Sequence, residues 1–103
     1  MTGETEIKLE EGPSKGRYFL DGENGATAEM TFSKAGDHLL IIDHTDVPDA
    51  FRGQGVGVKL VSRAVEDARI SGKKILPLCP FASAQFRRHP EWADVLSGGR
   101  GKD

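Results

Sequence analysis

The stretch Val47-Pro48-Asp49-Ala50-Phe51-Arg52-Gly53-Gln54-Gly55-Val56-Gly57 decides how the chain folds, because the hydrophobic period changes across it. On its C-terminal side Gly57, Leu60, Val61, Ala64, Val65 and Ala68 fall on one stripe, with Lys59, Arg63, Glu66, Asp67 and Arg69 off it. That is the spacing of an amphipathic helix. It should stop at Ser71-Gly72, where glycine can take the left-handed conformation that closes a helix, with Lys73 and Lys74 at its negative end. On the N-terminal side, His38 to Val47 contains four consecutive aliphatics, Leu39-Leu40-Ile41-Ile42. Such a run predicts a strand covered on both faces and hence central in a sheet.

Further upstream the pattern is that of an antiparallel meander. Ile7 and Leu9 alternate with Lys8 and Glu10, Arg17-Tyr18-Phe19-Leu20 precedes a turn-rich segment with the hairpin pair Asn24-Gly25, and Ala26, Ala28, Met30 and Phe32 alternate with polar residues. Downstream of the helix a strand is expected from Lys74 to Leu78 or Cys79, then a short helix from Phe81 to Arg88, a break at His89-Pro90 and a last segment to Leu96. Pro77 lies inside that strand and cannot donate to a ladder, so one side of the strand must be unpaired near its end. The expected fold is a single α/β (α+β) domain over residues 1–96, with a flexible tail from 97 to 103.

Composition narrows the function. A chain of 103 residues leaves no room for two independent cores. Its net charge of −2 gathers no polyanion, which argues against nucleic acid as the main partner, and four consecutive aliphatics are far too few for a membrane span. The single cysteine, Cys79, can form neither an internal disulfide nor a multi-cysteine zinc site. Asp37-His38 and Asp43-His44 do not by spacing converge on a metal, and no metal site is expected. With a polar, acidic start in place of a signal sequence, the reading is a cytoplasmic protein.

A glycine-rich turn between a strand and a helix N-terminus suits a phosphate, because backbone N–H groups and the helix dipole converge there. Two familiar patterns fail on spacing. No glycine precedes Lys-Ser or Lys-Thr as in a P-loop, and the dinucleotide fingerprint would need a small residue where Val58 stands. What remains is Arg52-x-x-Gly55-x-Gly57, with a strand before it and a helix after it.

Strand, Arg-Gly-Gln-Gly-Val-Gly and helix together resemble the acetyl-CoA motif of the GCN5-related N-acetyltransferases. His44-Thr45-Asp46-Val47-Pro48, Leu78-Cys79-Pro80-Phe81 and Pro90-Glu91-Trp92 extend the likeness, over roughly residues 17–96, to a minimal branch of that superfamily of about 100 residues. The resemblance implies a mostly antiparallel sheet whose strands splay apart, one long helix after the glycine turn and one short C-terminal helix. It implies acetyl-CoA as acyl donor and an unidentified amine, small or an exposed lysine, as acceptor.

Backbone groups around Thr45, Asp46 and Val47 would meet the pantetheine arm, and Arg52, Gly53, Gln54, Gly55, Val56 and Gly57 would hold the pyrophosphate. Phe81 and Phe86 would line the channel or the core, Arg88 would meet a CoA phosphate or water, and Trp92 reads as a core anchor. Cys79 is the candidate nucleophile or proton-transfer group and His44 the candidate base. On a regular strand Asp46 shares the side of His44 and Asp43 does not. The rival readings are a CoA-binding regulatory module without turnover and a small protein-interaction domain in which the glycine turn only joins two elements. With no heptad pattern, a monomer is expected.

Overall fold

The computed structural model describes residues 7–22, 25–51 and 53–97. Asn24 of the expected hairpin pair, Arg52 of the glycine motif and the tail beyond 97 lie outside the described residues. Five strands form one sheet in chain order: β1 (Lys8–Glu11), β2 (Lys15–Asp21), β3 (Thr27–Ala35), β4 (Leu39–Asp46) and β5 (Lys74–Pro77). The first four are antiparallel, as the meander predicted. β5 runs parallel to β4, with Leu40 opposite Ile75 and Ile42 opposite Pro77. A parallel neighbour requires a crossover. The long helix α1 (Val56–Ser71) supplies it, and α2 (Pro80–Arg88) follows β5.

The helix stripe read from sequence is the buried face of α1: Gly57, Leu60, Val61, Ala64, Val65 and Ala68 are all buried. Gly72 closes the helix at φ 74°, and the N–H groups of Gly72 and Lys73 both bond to the Ala68 carbonyl. This stripe meets Tyr18, Leu20, Ala28, Met30, Phe32, Leu40 and Ile42 from one face of the sheet in a single core. α2 and a 3-10 segment, Pro90–Val95, extend that layer. Trp92 anchors it, edge-on to Phe86 at 5.5 Å between ring centroids. Leu96 then pairs with Ile75, and Ser97 N–H bonds to the Ile75 carbonyl, so the outer edge of β5 is covered.

Among the described residues the opposite face of the sheet carries no helix. β4 is internal in strand order, as expected, yet covered on one face only: Leu40 and Ile42 are buried against the helices while Leu39 and Ile41 are half-buried on the other side. Four aliphatics in a row predict double coverage, and the structure gives single coverage. The two on the open face instead form a shallow apolar strip beside polar neighbours. On the same face Phe19 is buried outside the core, with the Arg17 guanidinium 4.2 Å from its ring centroid and held there by Glu10 and Glu29.

Tyr18 joins sheet to helix: its hydroxyl donates to Asp67 Oδ2 at 2.7 Å, and Arg63 of α1 donates both to Asp67 and to the Ile7 carbonyl. Burial first, and the bond to Asp67 second, raise the Tyr18 pKa above its ordinary value of 10.0. Above pH 10 the unfolded chain releases a proton that the folded chain retains, so stability falls as pH rises through that range. Urea unfolding at about pH 8 and about pH 10.5 should show this loss, and Tyr18→Phe should lessen it. The variant should lose about 1 kcal/mol at neutral pH, the net worth of one hydrogen bond.

Candidate active site

β4 and β5 part company at Ile42 and Pro77. Pro77 ends β5, and the N–H groups of Leu78 and Cys79 both turn back to the Ile42 carbonyl, each at 3.1 Å. β4 continues to Asp46, paired only with β3, and its other edge from 43 to 46 faces the opening. The unpaired strand end inferred from Pro77 and the splay implied by the resemblance are therefore both present, with the opening at the C-terminal end of both strands. Unpaired backbone groups on such an edge offer donors and acceptors to an extended ligand. Thr45 and Asp46 lie on it, and Val47 continues from it, half-buried against the core.

The strand was expected to reach Leu78 or Cys79. It stops at Pro77, and Cys79 becomes the N-cap of α2, with Pro80 at the first helical turn. The reason is local: Pro80 has no N–H to give a ladder and its φ suits a helix start. Cys79 Sγ lies 3.3 Å from Thr45 Oγ1, across the opening. Burial opposes ionisation of this thiol most strongly. Hydrogen bonding from the Thr45 hydroxyl, the Ala82, Phe81 and Thr45 backbones outweighs it and holds the pKa below that of an ordinary cysteine.

On the other side of the opening, a 3-10 turn (Asp49–Phe51) leads through Gly53 and Gly55, at φ 81° and 67°, into α1. Gly55 caps the helix without a side-chain hydrogen bond, and Lys59 is the first residue whose N–H returns to it, at 3.1 Å. The N–H groups of Val56, Gly57 and Val58 have no carbonyl four residues behind them within the helix, and the dipole is positive there. This geometry fits an anionic phosphate. Gln54 is tied locally, its N–H to the Phe51 carbonyl and its Nε2 to the Ala50 carbonyl.

Gly57 has a second role that the motif reading did not give it. A Cβ at this position would sit 2.5 Å from Cζ of Phe81, so the missing side chain makes room for that ring at the base of the cradle. Phe81 is thus placed beside the glycine turn, partly exposed, whereas Phe86 lies in the core against Trp92. Arg88 is exposed at the far end of α2, about 13 Å along the helix from Cys79. A groove of about 880 Å³ lies elsewhere, lined by Glu10, Lys15, Arg17, Ser33 and Asp43, and none of the glycine-turn residues borders it.

The register of β3 against β4 shifts between Thr31 and Phe32: Thr31 pairs with His44 and Phe32 with Ile42, leaving Asp43 as a one-residue bulge. The bulge corrects the expected facing. Asp43 accepts a hydrogen bond from Ser33 at 2.7 Å on the open face, which His44 and Asp46 share through their partners Thr31 and Glu29. Thr45, opposite the fully buried Met30, takes the helix face. His44 and Cys79 therefore approach the opening from opposite faces of the sheet, and the structure does not bring them together.

The residue that sequence reasoning passed over is Gln85, which is 4% exposed within α2. The thiol's placement at a helix start is signalled by Pro80, since proline favours the first helical position and so puts the residue before it at the N-cap. Among the described residues no three of His, Cys, Asp and Glu gather as a metal-ligand set, and no helix is long and apolar enough to cross a membrane.

Parallel strands that part at their C-terminal ends, a helix start without a side-chain cap behind a glycine turn, and a thiol at the N-cap of a second helix make up the site. The family model described as GCN5-related N-acetyl-transferase matches residues 17–95, and the chain belongs to that family. In solved structures it is similar to a GCN5-like protein from Staphylococcus aureus, determined in solution by NMR. The two are 38% identical with a TM-score of 0.70, over 92% of this chain and 90% of that one. Among curated proteins none matches. Family membership places the chain among the N-acetyltransferases as a class.

Proposed function

We propose that the chain is an acetyl-CoA-dependent N-acetyltransferase that passes the acetyl group through Cys79 to an amine, either a small amine or an exposed lysine. The observation that carries this reading is the Cys79 thiol, acidified by Thr45 and the start of α2 at the mouth of the splay. The Gly53–Gly57 turn would take the pyrophosphate and the free edge of β4 the pantetheine amides. The Cys79 thiolate attacks the thioester carbonyl, a bond forms from Sγ to the acetyl carbon, and CoA leaves as thiolate to be protonated. The amine then attacks the acetyl-cysteine, Cys79 departs as thiolate, and the proton lost by nitrogen is accepted at the opening. His44, exposed on the open face and across the sheet from Cys79, can take that proton only through water at the opening.

One observation favours a structural reading of the glycine turn: Gly57 is needed to seat Phe81 whether or not a phosphate binds. Calorimetric titration with acetyl-CoA, followed by intact-mass measurement, separates the possibilities. One-to-one binding with an added acetyl group supports the transferase. Binding with neither adduct nor transfer to any amine supports a CoA-binding regulatory module. Absence of both heat and adduct leaves a protein-interaction domain. A cytoplasmic monomer completes the proposal, a reducing compartment being suited to a protein that works through a free thiol.

A further inference from the structure

α2 buries three side chains, Ala82, Gln85 and Phe86, and the middle one is polar. Gln85 is 4% exposed, and among the described residues its Oε1 has no hydrogen-bond partner. An amide carbonyl held out of water without a donor weakens a fold, and a methionine would fill similar space without that penalty. A glutamine at such a position points to a donor that arrives with a ligand.

Its place on the helix identifies the ligand. Helical side chains lean toward the helix N-terminus and cover the turn before their own Cα. Gln85 therefore reaches back over the turn of Phe81 and Ala82, with Phe81 one turn ahead in the same row. The Phe81 ring packs against Gly57 at the start of α1, and the backbone of Phe81 and Ala82 serves the Cys79 thiol. That turn borders the wedge between glycine turn, splayed strands and reactive cysteine. A CoA molecule with its pyrophosphate on the turn and its thioester at Cys79 must thread that wedge. A carbonyl can only accept, and the donors along that part of CoA include the pantetheine amide N–H groups.

We infer that Gln85 is a binding residue for the pantetheine arm of CoA, its Oε1 accepting a hydrogen bond from an amide N–H of the arm on the side opposite β4. The assignment rests on the transferase reading above. It explains why α2 retains a polar group in an otherwise apolar stripe: the group is satisfied only in the complex.

The test is calorimetric titration of wild-type and Gln85→Met protein with CoA and with 3′-phosphoadenosine 5′-diphosphate, which lacks the arm. Gln85→Met should weaken CoA about fivefold, the worth of one net hydrogen bond, and leave the nucleotide fragment unchanged. Its thermal midpoint should equal or exceed that of the wild type. Gln85→Leu, with a different shape and no acceptor, should behave alike. Unchanged CoA affinity in either folded variant overturns the assignment, as does an equal loss for CoA and fragment, or a fall in midpoint showing that the carbonyl is satisfied within the protein. Wild-type protein that binds no CoA overturns the transferase reading and the assignment together, whereas wild-type binding with unaltered variants overturns the assignment alone.

Discussion

Gly55→Val should reduce CoA affinity by about 100-fold or more while the protein still folds. The expectation rests on backbone geometry and not on crowding. Gly55 stands at φ 67°, and a Cβ added there would meet no atom within 4 Å. An L-residue in the left-handed region is strained by roughly 1–2 kcal/mol, and a β-branched one suffers most. That strain lies well within a typical domain stability of about 5–15 kcal/mol. Valine can escape it only by moving the backbone toward negative φ, and the move re-aims the Val56, Gly57 and Val58 N–H groups that would hold the pyrophosphate. Gln54→Ala is the matched control, because among the described residues the exposed Gln54 side chain reaches just the Ala50 carbonyl, at 3.4 Å. Its affinity should stay within about twofold of wild type. Equal binding by the two variants would mean that the pyrophosphate is held elsewhere.

Cys79→Ser should abolish the acetyl adduct in intact-mass spectra and lower kcat/KM by about 100-fold or more, since an alcohol without a dedicated base is a poor nucleophile toward a thioester. The thiolate is the reactive form, so the wild-type rate should rise with pH as the thiol ionises and level off below the range of an ordinary cysteine. Thr45→Val removes the hydroxyl 3.3 Å from Sγ and should move that rise to higher pH. The two variants answer different questions. Serine tests whether the sulfur carries the acetyl group, and valine tests whether Thr45 tunes it. Acetyl transfer at the parent rate in Cys79→Ser would exclude the covalent route and leave direct attack by the amine, with His44 or water taking the proton.

Much of the architecture could be read from local pattern because local pattern determined it. The α1 stripe from Gly57 to Ala68 has one periodicity and one partner surface, and Gly72 stops it by a conformational preference that needs no tertiary context. Pro77 marks the unpaired end of β5 because a missing N–H is a property of the residue itself, while the splay of the strands comes from the resemblance. The bulge at Asp43 was not legible in this way. It depends on a cross-strand bond to Ser33 and on where β3 places Met30, which period-two counting along β4 cannot see. Gln85 was hidden for a related reason. A polar residue in an apolar stripe is read as the stripe's edge, and only the packing of α2 against its neighbours reveals that it is enclosed. The expected end of β5 at Leu78 or Cys79 overruns the observed one by one or two residues because the apolar run continues past Pro77, although Pro80 announces a helix start.

The Asp43 bulge makes β4 a strand of two parities. Up to Ile42 the even-numbered residues look toward the helices; from His44 onward the odd-numbered ones do. One inserted residue thereby divides the strand into a half that builds the core and a half that serves the opening. The first half can remain aliphatic without burying His44, and Thr45 can face the thiol without exposing Ile42. Were Asp43 paired with Thr31 as in a regular strand, the alternation would be uniform, with the imidazole turned inward and the threonine hydroxyl outward. The chain would keep every residue of its motifs and still lose their spatial order, so the bulge between Ile42 and His44 is as much a part of the site as the residues themselves.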